Sequence, residues 1–588
     1  MPRNPQMVYS VTPCKLVPPK SLPMIAVGLA VIFAGLIGGC ATAPELPVAT
    51  VRPSTVEVKL IAFNDFHGNL RTPNSRVPVA DPSQSTGLRF QAAGGVEQFA
   101  ALVRDLKQKN PMNAVVSAGD LVGATPLLSA LFKDEPTIEA MNLIGIDFHA
   151  VGNHEFDNGV AQLKRLRAGG CETNVKTGLP DCQGRAPYAG AKFPFLTANV
   201  RVEDGTETLF PAYGVKEFDG VKVAFIGMTL RGTPQLVRPS STVGLRFMDE
   251  VETVNQLLPQ IKAQGINAIV VVMHQGGQQT GGINDCKDFS GAAKDIVERM
   301  SNDVSIVVTA HTHRYYICEI GGKLVTSAGS YGMLMTEIDL TLDRVSGRIS
   351  QRSARNLVVK PDGAKAADLT ELVQRYAALS EPLEKRVVGR LRTELSMVKA
   401  GTSESNLANM VVDAQLYATT SPDRGGAVIA FNNNDSLRDS LIPDADGGIS
   451  YGAVFRAQPF QNDLIVMTLT GAQVKALLEQ QWEGGEGPGR RMLGVSTGFR
   501  YTWDATKPVG QRVVVGSMAL NGIPIRGDLQ YRISVNSYLA TGGSGMTVFR
   551  DGKDRQVSVS DIDAVVEYLG VKSPYQPPPL GTRIVRLN

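Results

Sequence analysis

Histidine is scarce in this chain, with six among 588 residues: His67, His149, His154, His274, His311 and His313. Surplus charge is also lacking, because 59 Lys+Arg stand against 56 Asp+Glu, a formal charge of +3. That leaves no basic stripe, so binding a nucleic-acid polymer is a poor reading of the main task. A composition of 43% hydrophobic and 20% charged residues fits neither disorder nor a coiled coil. At the usual 100 to 200 residues per domain, the length allows roughly two to four domains and a large core.

The first forty residues stand apart. Arg3, Lys15 and Lys20 precede an uncharged apolar run from Leu22 to Gly39, which ends in Ile37-Gly38-Gly39-Cys40. A basic region, an apolar stretch and small residues before a Cys read as a secretory signal. The segment resembles a bacterial lipoprotein signal, which implies lipidation at Cys40 and export to the periplasm or cell envelope. Ala41 in place of Asp makes the outer membrane the preferred anchor point. The alternative is an uncleaved membrane anchor, since the run approaches the ~20 residues that a spanning helix needs. Residues 41–56 read as a tether rich in Ala, Pro, Thr and Val. Beyond Cys14 and Cys40 remain Cys171, Cys182, Cys286 and Cys318, an even set suited to an oxidising compartment. Proximity in sequence favours Cys171 with Cys182 and Cys286 with Cys318. A zinc site of four thiolates is the rival, without the close C-x-x-C pairs such sites use.

Between residues 57 and 359, apolar runs alternate with amphipathic stretches. Strands are expected at Val56 to Phe63, Ala114 to Ser117, Phe148 to Val151, Val221 to Gly227, Ala268 to Met273 and Val304 to Thr309. Helical spacing covers Gly95 to Lys107 and Pro136 to Ile144. This alternation predicts a layered α/β domain, in which ligands gather beyond the strand C-termini. Residues 360–386 read as a linker helix and 387–588 as a second domain. Its expected strands are Val428 to Phe431, Leu464 to Leu469, Val513 to Met518 and Tyr531 to Val535. Its expected helices are Leu407 to Tyr417, Ala472 to Gln481 and Ser560 to Leu569.

Five polar clusters sit where predicted strands stop: Asp65-x-His67, Gly119-Asp120, Gly152-Asn153-His154-Glu155 with Asp157, His274, and His311-x-His313. Residues i and i+2 of an extended segment share a side, so Asp65 with His67 and His311 with His313 can each aim two donors into one site. Carboxylates, an amide oxygen and imidazoles form the mixed set that suits two divalent ions of the Zn, Mn, Fe or Co type. Five of the six histidines fall in these clusters. His149 is left over and reads as a core or edge residue.

In this order the motifs resemble the calcineurin-like metallophosphoesterase superfamily, and with the second half they resemble the bacterial 5'-nucleotidase/UDP-sugar hydrolase family. The resemblance implies an α/β fold, a four-layer α/β/β/α sandwich followed by a C-terminal α+β substrate domain. It also implies that Asp120 bridges two metals, that Asp65, His67 and His313 bind one ion, and that Asn153, His274 and His311 bind the other. His154 and Asp157 match the family's catalytic pair. The implied activity is release of phosphate from nucleotides by attack of a metal-bridged hydroxide. Alternatives are a UDP-sugar diphosphatase, a 2',3'-cyclic-nucleotide phosphodiesterase, or a nucleotide-binding lipoprotein without turnover. Partners would be a nucleotide or nucleotide-sugar substrate and, through the lipid, a membrane. A hinge motion between domains is implied, placed near residues 364 to 386.

The same resemblance matches Asn433 and Arg438 to phosphate-binding residues, and Phe460 and Tyr538 to aromatics that sandwich a base. An Arg fork gives phosphate bidentate donors, and flat rings stack on any base. Three departures bear on the substrate. Asn434-Asp435-Ser436 replaces glycines, Ser544 stands where an Asp contacts the ribose, and Ser403 where several members carry Arg.

Overall fold

A computed structural model describes residues 53–84, 87–173, 180–181, 187–203, 205–398, 404–483 and 492–587. The signal segment with Cys40, most of the tether, Cys182 and Ser403 lie outside the described residues. Among those described, no helix is long and apolar enough to cross a membrane.

Two six-stranded sheets carry the first half. One runs in the order Ile349–Val358, Leu334–Asp343, Thr55–Phe63, Asn113–Ser117, Phe148–Ala150, Phe195–Leu196. The other runs Tyr213–Phe218, Val221–Met228, Ala268–Met273, Val304–Val308, Lys323–Ala328, Tyr315–Ile320. Alternate residues explain the layers. Val58, Leu60 and Ala62 point inward to meet Val223, Phe225, Val270 and Ile306 of the other sheet. Their neighbours Ile61 and Phe63 point outward onto Phe99 and Val103 of helix Val96–Lys109. Helices Glu250–Ala263 and Ala292–Arg299 cover the far face of the second sheet through Val254, Ile261 and Val297. The result is the expected four-layer α/β/β/α sandwich.

The expected linker helix forms as Ala367–Glu384, and it is docked: Leu369, Leu372 and Tyr376 share a core with Phe99 and Ile138. The second half is built on a sheet ordered Leu493–Val495, Ile429–Asn433, Gln530–Asn536, Asp463–Thr470, Lys553–Ser560. Helices Asn406–Thr419, Gly471–Gln480 and Asp561–Lys572 flank it, each with a side-chain N-cap, Ser405, Thr470 and Ser560 respectively.

The expected strand Val513 to Met518 does not form. Val513 turns inward, bridging Trp503, and Met518 packs at the edge of the same core, while Val515 is 87% exposed and Gly516 takes a left-handed φ of 77°. The apolar run is a turn, in which the valines mimic the pattern of a core strand. Cys286 and Cys318 form a disulfide, which removes the four-thiolate zinc site.

Candidate functional site

All five motif clusters meet at the C-terminal end of the sandwich. Asp65 and His67 follow strand Thr55–Phe63, Asp120 follows Asn113–Ser117, and Asn153 follows Phe148–Ala150. His274 follows Ala268–Met273, and His311 with His313 follow Val304–Val308. The backbone is unusual at this end. Asp65, His67, Asp120, His311 and His313 all have φ between 47° and 70°, the left-handed region. Two glycines let the loops approach closely. A Cβ on Gly119 would sit 2.8 Å from Gly152 Cα, and one on Gly152 2.6 Å from Asp120 N, so neither position has room for a side chain.

The donors fall into two overlapping sets. His67 Nε2 lies 3.1 Å from His313 Nε2, 3.6 Å from Asp120 Oδ2 and 3.9 Å from Asp65 Oδ1. His274 Nε2 lies 3.1 Å from Asp120 Oδ2 and 3.0 Å from Asn153 Oδ1, which is also 3.0 Å from His311 Nδ1. Asp65, Asp120 and His274 offer ligand atoms within 4.8 Å of one another, as do Asp65, His67 and His313.

Second partners fix the orientation of four of these donors. His67 Nδ1 donates to Gly123 O at 2.8 Å and His274 Nδ1 to Ala118 O at 2.8 Å, which leaves each Nε2 lone pair facing the cluster. Asp65 Oδ2 accepts from Asn64 Nδ2 at 2.7 Å, and both its oxygens accept from His311 N. Asp120 Oδ1 accepts from His154 N at 2.9 Å.

The electrostatics are those of a cation site. Burial pushes Asp65 up to about 7, with the like charge of Asp120 adding to it. Burial pushes His67 down to about 3 and drives His313 well below the ordinary imidazole value. At Asp120, burial opposes ionisation, but His274 and His154 outweigh it and hold the carboxyl well below its usual range. At His274 burial is outweighed by Asp120, which pushes the imidazole up to about 9. Donor atoms this close favour a cation, which stabilises the deprotonated imidazoles and carboxylates together. The donor set therefore fits divalent metal.

His154 and Asp157 stand beside this cluster. His154 Nδ1 donates to Asp157 Oδ2 at 2.7 Å. Burial works against protonating His154, but the carboxylates of Asp157 and Asp120 outweigh it and raise its pKa. Its Nε2 accepts from Arg438 Nη2 of the second half at 3.1 Å. Phe460 lies nearly parallel to the His154 ring, 5.7 Å between centroids at 28°, and the Arg438 guanidinium sits 5.3 Å above Phe460.

The other expected substrate residues are held by partners of their own. Asn433 Oδ1 accepts from Asn536 Nδ2 at 2.8 Å. The Tyr538 hydroxyl donates to Gln235 O at 3.0 Å and accepts from Ser544 N at 2.8 Å. His149 is fully buried in strand Phe148–Ala150 against Phe195, outside the cluster, as expected. Cys286 and Cys318 pair as the spacing suggested.

Sequence reading passed over several residues of the site. Tyr331 has a φ of 62°, its N–H donates to Asp65 O at 2.7 Å, and its ring lies 5.4 Å from His313. Arg238 reaches Phe460 O at 3.4 Å, and Ser241 Oγ reaches Asp157 O at 3.3 Å. No motif marks these positions, because their roles arise from loops meeting in space. Asn64 and Glu155, by contrast, sit inside the quoted clusters.

Comparison with known proteins follows the same division. Residues 58–315 match the calcineurin-like phosphoesterase model, and residues 387–551 match the 5'-nucleotidase C-terminal domain. Endonuclease YhcR of Bacillus subtilis is 28% identical over 87% of this chain, which spans only 40% of that protein's length. Protein UshA of Yersinia enterocolitica is 26% identical over 93% of this chain and 98% of that protein. The crystal structure of a 5'-nucleotidase precursor from Thermus thermophilus superposes with a TM-score of 0.70 at 25% identity, covering 91% of this chain and all of that one. The chain belongs to the 5'-nucleotidase family of calcineurin-like phosphoesterases and is a metal-dependent phosphoester hydrolase.

Proposed function

We propose that this protein releases phosphate from nucleotides at a paired-metal centre in its first domain, with the second domain presenting the substrate. Asp65, His67 and His313 would hold one ion and Asn153, His274 and His311 the other, with Asp120 between them. When bound, the two ions supply Lewis acidity toward the phosphoryl group and its attacking water.

The chain's own residues do the rest. Arg438 clamps phosphoryl oxygens with its fork of donors. His154 Nε2, now 3.1 Å from that guanidinium, is within reach of an oxygen the guanidinium holds. Asp157 keeps the His154 proton on Nδ1 and stabilises the imidazolium that forms when Nε2 takes up a proton. His154 so protonated donates to the phosphate or the leaving oxygen. Phe460 shields this contact from water, and with Tyr538 offers faces for a base.

The observation that carries the reading is the contact across the cleft: an arginine of one domain meets a carboxylate-backed histidine of the other beside seven convergent donors. Phosphate release from AMP by the purified protein with Mn, Co or Zn tests it. Activity that survives Asp120→Asn or His154→Ala at the wild-type rate would sink the assignment. Ser544 favours a second reading on 2',3'-cyclic nucleotides, whose esterified ribose diol offers no hydroxyls to the carboxylate expected there. Relative rates on AMP, UDP-glucose and 2',3'-cyclic AMP decide between them.

Export as a lipoprotein through Cys40 belongs to the same proposal. It is supported by the signal-like segment and by a disulfide suited to an oxidising compartment. Palmitate labelling that persists in Cys40→Ala would refute it.

A further inference from the structure

Glu155 closes the Gly152-Asn153-His154-Glu155 turn, and the mechanism above gives it nothing to do. It is 3% exposed, and its partners are backbone N–H groups. Oε2 accepts from Gly152 N at 2.7 Å and Asp120 N at 3.0 Å; Oε1 accepts from Leu121 N at 2.7 Å and Val122 N at 3.4 Å. Three of these donors belong to the loop that presents Asp120, and the fourth to the loop that presents Asn153.

Only a carboxylate suits this position. It has two acceptor oxygens and no donor, whereas an amide would turn an N–H₂ toward two N–H groups. The loop it holds runs through left-handed backbone at Gly119, φ 99°, which a glycine adopts freely, and at Asp120, φ 54°, where a Cβ makes it less favourable. By accepting from the N–H groups of Asp120, Leu121 and Val122, Glu155 ties this turn from outside. Behind the carboxylate, His149 Nε2 stands 3.5 Å from Oε1, with its other nitrogen 3.2 Å from Ser117 Oγ. The edges of Phe193 and Phe195 complete that wall.

We infer that Glu155 is a positioning residue that sets the distance between the Asp120 and Asn153 loops, and so the affinity for the ion those two residues share. The inference rests on the metal reading above. Glu155 ties the loops without touching either ligand side chain, as residues behind a metal's direct ligands do when their loss weakens binding by about 10- to 100-fold.

Cobalt titration of the full chain, with metal analysis and the visible absorption of bound Co(II), tests it alongside melting of the metal-free protein. Wild type is expected to take up two ions. Glu155→Gln is expected to bind one of them at least about 10-fold more weakly with a changed spectrum. Glu155→Asp, which keeps both acceptor oxygens on a shorter arm, should recover part of the affinity. If Glu155→Gln lowers only the metal-free melting temperature and binds two cobalt ions with wild-type affinity and spectrum, positioning is overturned. Should Glu155→Gln not fold, wild-type affinity and spectrum in Glu155→Asp overturn it equally. Wild-type protein that binds no cobalt instead breaks the metal reading itself, a distinct result.

Discussion

At the metal cluster, side chains are held from behind. His67 and His274 each give their second nitrogen to a backbone carbonyl, Asp65 receives both the Asn64 amide and the His311 N–H, and Glu155 ties two loops together. Across the cleft the arrangement is looser. Phe460 and Tyr538 are half-buried, Arg438 rests on a ring face, and its Nε has no hydrogen-bond partner among the described residues. Chemistry that depends on fixed distances sits on strand ends with a second layer of bonds. In the proposed reading recognition would fall to this less tightly bonded side.

Substitutions that break the rigid side should cost most. Asp120→Asn, which keeps the left-handed backbone, is expected to lower phosphate release by about 10³-fold or more and to reduce the bound metal found by elemental analysis. His154→Ala should lower kcat by about 10²- to 10⁴-fold while both ions stay bound. On the looser side, Arg438→Ala removes charge-assisted bonds worth about 1.5 to 3 kcal/mol, about 10- to 150-fold in kcat/KM, with metal content unchanged. Phe460→Ala should raise KM for AMP more than it lowers kcat, by the roughly 1 to 3 kcal/mol of one stacked base. Equal losses on both sides of the cleft would erase the contrast.

A separate effect, on stability and not on turnover, concerns what lies beneath the looser side. Asp561 is buried and pushed up to about 7 by that burial, and its Oδ2 accepts from Asn462, two residues past Phe460. A carboxyl whose folded pKa is raised favours the fold below the unfolded value, about 3.9, and loses that contribution as pH rises through about 7. Chemical denaturation of wild type should therefore show stability falling over that window by at most a few kcal/mol. Asp561→Asn should flatten the fall, and identical slopes in the two proteins would discount the effect.

Much of the rigid side is legible in the sequence, because donors at strand ends in a histidine-poor chain stand out one by one. Each ligand candidate can be named without knowing the fold's depth. The second layer is harder. Glu155 is visible within its motif, but its role depends on four N–H groups from two loops, and Tyr331 carries no signal at all. The stretch Val513 to Met518 misleads for the opposite reason, since a valine run looks the same in a turn as in a strand. The helix Ala367–Glu384 is legible as a helix, while its docking by Leu369 and Tyr376 shows only once the sheet it covers is in place.

The left-handed backbone at Asp65, His67, Asp120, His311 and His313 has an evolutionary corollary. Asn is among the few residues that tolerate such a conformation, and its codons differ from those of Asp or His by one base. A lineage released from selection for catalysis can therefore exchange ligands for asparagine with little disturbance to the turns. Its descendants would keep this architecture intact while losing turnover, so in such a family a silent relative and an active one differ in a handful of side chains rather than in shape.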